Sequence, residues 1–269
     1  MAPIYIVTGG NKGIGKACVE LLLREAPTSS LIYLTSRDQG RGQQSIQDIQ
    51  SSLQSESKLA YHQLDVADPS SIKAFASFIQ KQHPEKIDVL INNAGINLDS
   101  SGFNSENVRK TLQSNFYGLK TMCEEFVPLI KDGGRIVNVS SMACKTHILK
   151  NDTIKAQLQS PKTTAEDIVK LMEKFQHDVD QGTYAQEGWP KLSYSTSKMG
   201  VTGFTQAFAR QHPNLLINAV CPSYIDTDMT DHMGMYPPEE GATRVCHLAL
   251  ADLKGATGKF WENKQVSTW

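Results

Sequence analysis

Apolar residues in this 269-residue chain gather in short unbroken runs separated by longer stretches of helical periodicity. The runs fall at residues 4–7, 31–35, 59–66, 87–91, 135–139 and 215–220, and a last short one begins at 259–261. Strands that are apolar at successive positions are buried on both faces, so they imply a parallel sheet covered by helices on each side. Helical stripes fill the gaps: residues 16–24, then Ile46, Ile49 and Leu53, then Ile72, Phe75 and Ile79 after the start signal Asp68-Pro69-Ser70. Residues 106–131 read as one long helix whose last turn is disturbed by Pro128. The pattern predicts a doubly wound α/β sheet (a Rossmann fold) of about seven strands, spanning residues 1–269 as one domain.

One stretch breaks the alternation. Residues 146–190 are largely polar, but Ile168, Val169, Leu171, Met172 and Phe175 lie at helical spacing within them. They predict an inserted helix with one apolar face laid on the domain.

The first strand runs into Thr8-Gly9-Gly10-Asn11-Lys12-Gly13-Ile14-Gly15 and then into a helix. Strand, glycine-rich turn and helix N-terminus are the layout that holds a dinucleotide pyrophosphate. Gly9 is free to leave the strand with positive φ, Gly13 lets backbone approach phosphate, and Gly15 lets the helix lie close to the sheet. Glycine-rich turns are common, however, and this one gains its meaning from three segments further along the chain. Asn92-Asn93-Ala94-Gly95 ends one apolar run, Ser140 and Ser141 come directly after another, and Tyr194 and Lys198 stand four residues apart on one face of a helix.

These segments, in this order and over nearly the whole chain, resemble the short-chain dehydrogenase/reductase family. The inserted stretch, the Asn11-Lys12 turn and the Glu187-Gly188-Trp189-Pro190 lead-in to Tyr194 are similar to its monomeric carbonyl reductases. The resemblance implies that Tyr194 is the general acid and that Lys198 hydrogen-bonds the nicotinamide ribose. It also implies that Ser141 donates to the carbonyl oxygen and that Asn115 holds a water in the proton relay; on local sequence alone Asn115 reads equally as a solvent-facing residue. Pro222, Ile225 and Thr227 match the segment that covers the nicotinamide, with two departures: Ser223 replaces the usual glycine, and Asp226 stands where close relatives often carry a base. The insertion would block the helix–helix interface through which other members oligomerise, implying a monomer.

The cofactor is indicated by the second strand. It ends in Ser36 where an NAD-binding fold needs an acid for the adenosine ribose, and Arg37 comes next. Arg37 and Lys12 would frame a 2′-phosphate, so NADPH/NADP+ is expected rather than NADH. Asp65 and Val66 are placed at the adenine, although Asp65 suits a turn equally well. Asn93, Ala94 and Gly95 are placed beneath the adenine ribose and phosphate, where Gly95 serves equally as a turn glycine.

The chemistry implied is hydride transfer to a carbonyl with Tyr194 supplying the proton. A free phenol is too weak an acid, and lowering its pKa by about three units takes roughly 4 kcal/mol, toward which Lys198 and the positive nicotinamide of the oxidised cofactor are expected to contribute. Met142, Trp189 and Tyr224, with Ser141 and Tyr194, are the expected substrate contacts. The rival readings are a reductase dedicated to one metabolite (a pterin, steroid or prostaglandin) and a binding protein that senses NADPH without chemistry.

Bulk properties narrow the partners to a small-molecule carbonyl. A net charge of −1 and a pI of 6.7 give no global field for nucleic acid or an anionic membrane. The N-terminal apolar stretch is strand-sized and lacks the basic region of a signal peptide. Five scattered cysteines without metal-ligand spacing fit reduced thiols in the cytoplasm.

Overall fold

The computed structural model describes residues 2–269. Eight strands form one sheet: β1 (Ile4–Val7), β2 (Leu31–Ser36), β3 (Lys58–Gln63), β4 (Ile87–Asn92), β5 (Ile130–Val139), β6 (Leu216–Val220), β7 (Phe260–Glu262) and β8 (Gln265–Ser267). Their spatial order is β3-β2-β1-β4-β5-β6-β7-β8. All neighbouring pairs are parallel except β7 with β8, which form an antiparallel hairpin. The sheet therefore carries one strand more than the apolar runs suggest. Gln265-Val266-Ser267 is polar and exposed, and it pairs as an edge strand without an apolar run of its own.

The helices are α1 (Gly13–Glu25), α2 (Gln39–Ser52), α3 (Pro69–Gln82), α4 (Ser105–Leu112), α5 (Gly118–Phe126), α6 (Asp152–Gln159), α7 (Ala165–Asp180), α8 (Ser193–Gln211) and α9 (Pro238–Leu250). Alternate residues of β1 feed two cores: Ile4 and Ile6 meet Phe75, Phe116 and Phe204 on one face, while Tyr5 and Val7 meet Val19, Leu22 and Val245 on the other. That double burial is what the continuous apolar strands require.

The stretch from 106 to 131 is not one helix. A π-helical turn over Gln113–Tyr117 joins α4 to α5, and Pro128 sits in a short turn, Val127–Leu129, after which β5 begins at Ile130. Pro128 has no amide hydrogen to continue the helix, so the chain is released into the strand early.

The insertion folds as α6 and α7. Thr164 and Asp167 close a capping box at the start of α7. Its apolar stripe packs on α8 where two glycines leave room: a Cβ on Gly200 would lie 2.6 Å from Met172 Sδ, and one on Gly203 would lie 2.9 Å from Ile168 Cδ1. α8 is thereby enclosed almost along its whole length.

The strand order turns back between β1 and β4, with β2 and β3 to one side and the later strands to the other. In open parallel sheets the crevice beyond the C-terminal strand ends at such a switch point is where ligands bind. Gly9, Asn93 and Ser140 all sit at those ends.

Candidate active site

A cleft of about 620 Å³ opens at that switch point. It is lined by Gly9, Asn11, Lys12, Gly13, Ile14, Gly15, Arg37, Asp65, Val66, Asn93, Ala94, Gly95, Tyr194, Lys198, Pro222 and Thr227, all of which the sequence places at a site. The glycine turn behaves as its spacing suggests. Gly9 and Gly13 have φ of +63° and +53°. A Cβ on Gly15 would fall 2.2 Å from the Gly9 carbonyl oxygen, so only glycine lets α1 start here. No side chain caps the N-terminus of α1, and its first residues, Gly13, Ile14 and Gly15, line the cleft, the position of an anion site at a helix N-terminus. Thr8 and Asn93 tie the turn to β4: Thr8 Oγ1 accepts from the Asn93 and Ala94 amides, and Asn93 Nδ2 donates to the Thr8 carbonyl at 2.9 Å.

At the adenosine end the acidic position is indeed Ser36, buried and donating to the Asp38 carbonyl at 2.8 Å. Arg37 lines the cleft, and so does Arg41, a cation that sequence reasoning missed. Asp38 accepts from the Arg41 amide and starts α2, and the Arg41 guanidinium turns back to the Asp38 carboxylate at 3.4 Å. Lys12 also reaches the cleft, but its ammonium pairs with Asp228 at 2.6 Å across the mouth. Asp226 Oδ1 meets His232 Nδ1 at 2.8 Å, and hydrogen bonding to that carboxylate raises the His232 pKa. The acid that replaces a basic residue thus has a base of its own beside it. Asp65 serves both expected uses: it lines the cleft and its carboxylate accepts from the Ala67 amide.

Helix α8, which carries Tyr194 and Lys198, is stitched to the end of β5. Asn138 Nδ2 donates to Thr205 Oγ1 at 2.9 Å, and the Ser140 and Thr202 hydroxyls lie 2.7 Å apart. Lys198 Nζ donates to the Val139 carbonyl at 2.7 Å and stands 5.6 Å from the centre of the Tyr194 ring. Burial pushes the Lys198 ammonium down to about 8. Desolvation pushes the Tyr194 phenol up to about 12, opposed by the Ser141 hydroxyl that bonds it and reinforced by Cys221, Cys144 and Asp99. Among the protein's own groups desolvation thus dominates at the phenol, while the Lys198 ammonium is directed at a backbone carbonyl. The phenol stays protonated through neutral pH, which is the form that donates a proton.

Several expected residues lie outside the cleft wall. Asn115 is buried in the π-helical turn, not solvent-facing. Its Oδ1 accepts from the Ile96 amide at 2.8 Å, and its Nδ2 donates to the Ile96 carbonyl and to Ser197 Oγ. Its side chain thus fixes the Gly95-Ile96 wall against α8. Ser141 accepts from the Ala143 amide while bonding Tyr194. Ile225 is buried against Ile14 and Gly241. Met142 and Tyr224 are exposed beside the cleft, where Met229 joins its wall. Trp189 is not a substrate contact. It is 3% exposed, packs on Phe175, and donates from Nε1 to Asp178 at 2.8 Å in the core of the insertion. The lead-in Glu187-Gly188-Trp189-Pro190 is close in sequence to Tyr194, but the indole turns the other way.

Among the described residues no group of His, Cys, Asp and Glu is arranged to hold a metal ion, and no helix is long and apolar enough to cross a membrane. All five cysteines are free and buried.

The short chain dehydrogenase family pattern matches residues 3–152 and 181–235. The unmatched interval between them contains all of α7, so the insertion stands apart in sequence as it does in structure. The chain is 39% identical to carbonyl reductase [NADPH] 1 of Mus musculus and 38% identical to that of Homo sapiens, in each case over 99% of this chain and 98% of the relative. Among solved structures, salutaridine reductase from Papaver somniferum superposes with a TM-score of 0.87 at 28% identity, over 97% of this chain and 99% of that one.

Ser223 comes directly after Pro222 at the cleft with φ of +86°, a conformation that suits glycine and strains a side chain. We expect Ser223→Gly to raise stability by up to about 1 kcal/mol, since relief of strain exceeds the extra freedom given to the unfolded chain. A urea midpoint that falls instead would show that the serine hydroxyl, not its backbone, governs this turn.

Proposed function

Because the chain belongs to the short-chain dehydrogenase/reductase family, we propose that it reduces aldehydes, ketones or quinones to alcohols with NADPH. The observation that carries this reading is one cleft with two chemically distinct ends. At one end Arg37 and Arg41 line the cleft next to Ser36, which stands where an NAD-binding fold would put a carboxylate; at the other are Tyr194 and Lys198, with Ser141 beside the phenol. The names of the mouse and human relatives, carbonyl reductase [NADPH] 1, agree with both ends.

NADPH supplies the hydride when bound. Gly9, Gly13 and the open N-terminus of α1 take its pyrophosphate, Arg37 and Arg41 the 2′-phosphate, and Asp65, Val66 and the Asn93-Ala94-Gly95 wall the adenosine. Pro222 and Thr227 close over the nicotinamide. The substrate carbonyl lies between Ser141, which donates a hydrogen bond, and Tyr194, which gives up its proton to the oxygen as charge develops there. Lys198, charged below about pH 8, offsets the phenolate that forms. Met142, Met229 and Tyr224 offer a flexible apolar rim suited to several carbonyl shapes.

We place the protein in the cytoplasm as a single-domain monomer. In support, Ile168 and Met172 of the insertion occupy the face of α8 at Gly200 and Gly203, where a second subunit's helix would otherwise pack.

Three outcomes are expected. Tyr194→Phe should lower kcat/KM by about 10²–10⁴ while NADPH still quenches protein fluorescence with unchanged affinity. Undiminished turnover would remove Tyr194 as the acid; binding without turnover by the wild-type protein on a panel of unrelated carbonyls would favour the sensor. The double change of Arg37 and Arg41 to Ala should weaken NADPH by roughly tenfold or more and leave NADH unaffected, and equal weakening of both would refute the phosphate site. Light scattering should return one chain's mass of 29.7 kDa; a dimer would show that the insertion blocks nothing.

A further inference from the structure

Asp99 lies in a short helical turn, Asp99–Ser101, whose neighbours Leu98 and Ser100 line the cleft. Its carboxylate is aimed at the first turn of α8, 94 residues away in sequence. Oδ1 accepts from the Ser193 amide at 2.9 Å and from the Ser193 hydroxyl, and Oδ2 accepts from the Tyr194 amide at 3.2 Å. The residue that precedes α8, Leu192, has no side chain able to cap it. The helix that carries the acid therefore has its leading N–H groups satisfied from another loop.

We infer that Asp99 is a positioning residue for the reduction: it fixes the start of the helix that carries Tyr194 and sets its negative charge beside that residue. The inference rests on the reading of Tyr194 as general acid.

Two features separate this from ordinary capping. An ordinary cap serves the helix; this one bonds the amide of the reacting residue itself. The charge also acts on the phenol in a definite direction. The groups that face the phenol are Ser141, Cys144, Cys221, Lys198 and Asp99, and of these Asp99 is the carboxylate. Its field opposes ionisation of Tyr194, along with desolvation, while the Ser141 hydroxyl favours it. Since Leu98 and Ser100, on either side of Asp99, line the cleft, a ligand pressing on that wall bears directly on the turn that holds Tyr194.

The test compares Asp99→Asn with Asp99→Ala in the full-length protein, following NADPH oxidation with menadione across pH. Asparagine keeps one acceptor oxygen, enough for the Ser193 amide and hydroxyl, but loses the charge and the bond to the Tyr194 amide; alanine removes all of these. The alkaline decline of kcat/KM reports the first proton lost from the Tyr194–Lys198 pair. It should move to lower pH by about half a unit in both variants, as loss of a nearby negative charge lowers the pKa of each group. In Asp99→Ala kcat should fall by roughly tenfold with KM little changed, and in Asp99→Asn by less, because the start of α8 and with it the phenol is no longer fully held in place. A decline at the wild-type pH in both variants, whatever happens to thermal stability, overturns the inference. Tyr194→Phe assayed alongside keeps the two readings apart: if it is inactive while the Asp99 profiles do not move, Tyr194 remains the acid and Asp99 is only a structural cap.

Discussion

The structure depends on how α8 is docked against the end of β5. A helix buried on nearly all sides cannot rely on an apolar stripe for its orientation, because apolar contact alone tolerates rotation and sliding. Here the register is set by directional bonds: Asn138 to Thr205, Ser140 to Thr202, and Lys198 to the Val139 carbonyl. Each of these groups is buried, so leaving any one unpaired costs about 1–3 kcal/mol, and misaligned packings are penalised together. Glycines at 200 and 203 then admit α7 close on the opposite side. Tyr194 and Ser141 meet as a consequence of this docking.

Electrostatics along the cleft derive from burial as much as from charge. The adenosine end is open, and its cations are exposed, so they act as recruiting charges screened by salt. The reacting end is closed, and desolvation there moves Tyr194 and Lys198 in opposite directions, each toward its neutral form. A neutral phenol is a ready acid, while a lysine that titrates near the working range responds strongly to any added charge. The protein holds its proton donor loaded and leaves the compensating cation adjustable.

What could be read from the chain was whatever lies close together along it. The glycine turn, the Asn93-Ala94-Gly95 wall and the Tyr194–Lys198 spacing are each contained within one turn or one strand end, so their geometry is set by local backbone. Ser36 and Arg37 were legible for the same reason, and Arg41 was within reach once Asp38 is taken as the cap that begins α2. The misreadings involve contacts between distant segments. Trp189 precedes Tyr194 by a few residues, yet Asp178 claims its indole, and nothing local announces that bond. The π-helical turn around Asn115 exists because that side chain bonds Ile96 and Ser197 on other elements. The pKa of Tyr194 depends on enclosure, which spacing does not encode.

The pairing of Lys12 with Asp228 carries a kinetic meaning. A lysine in a phosphate-binding turn has two anionic clients, one on the nucleotide and one on the opposite wall. An arriving nucleotide must displace the carboxylate, and a departing one leaves behind an ammonium that the carboxylate immediately re-engages. Both side chains are about 60% exposed, so the pair is weak and such an exchange of partners costs little in either direction.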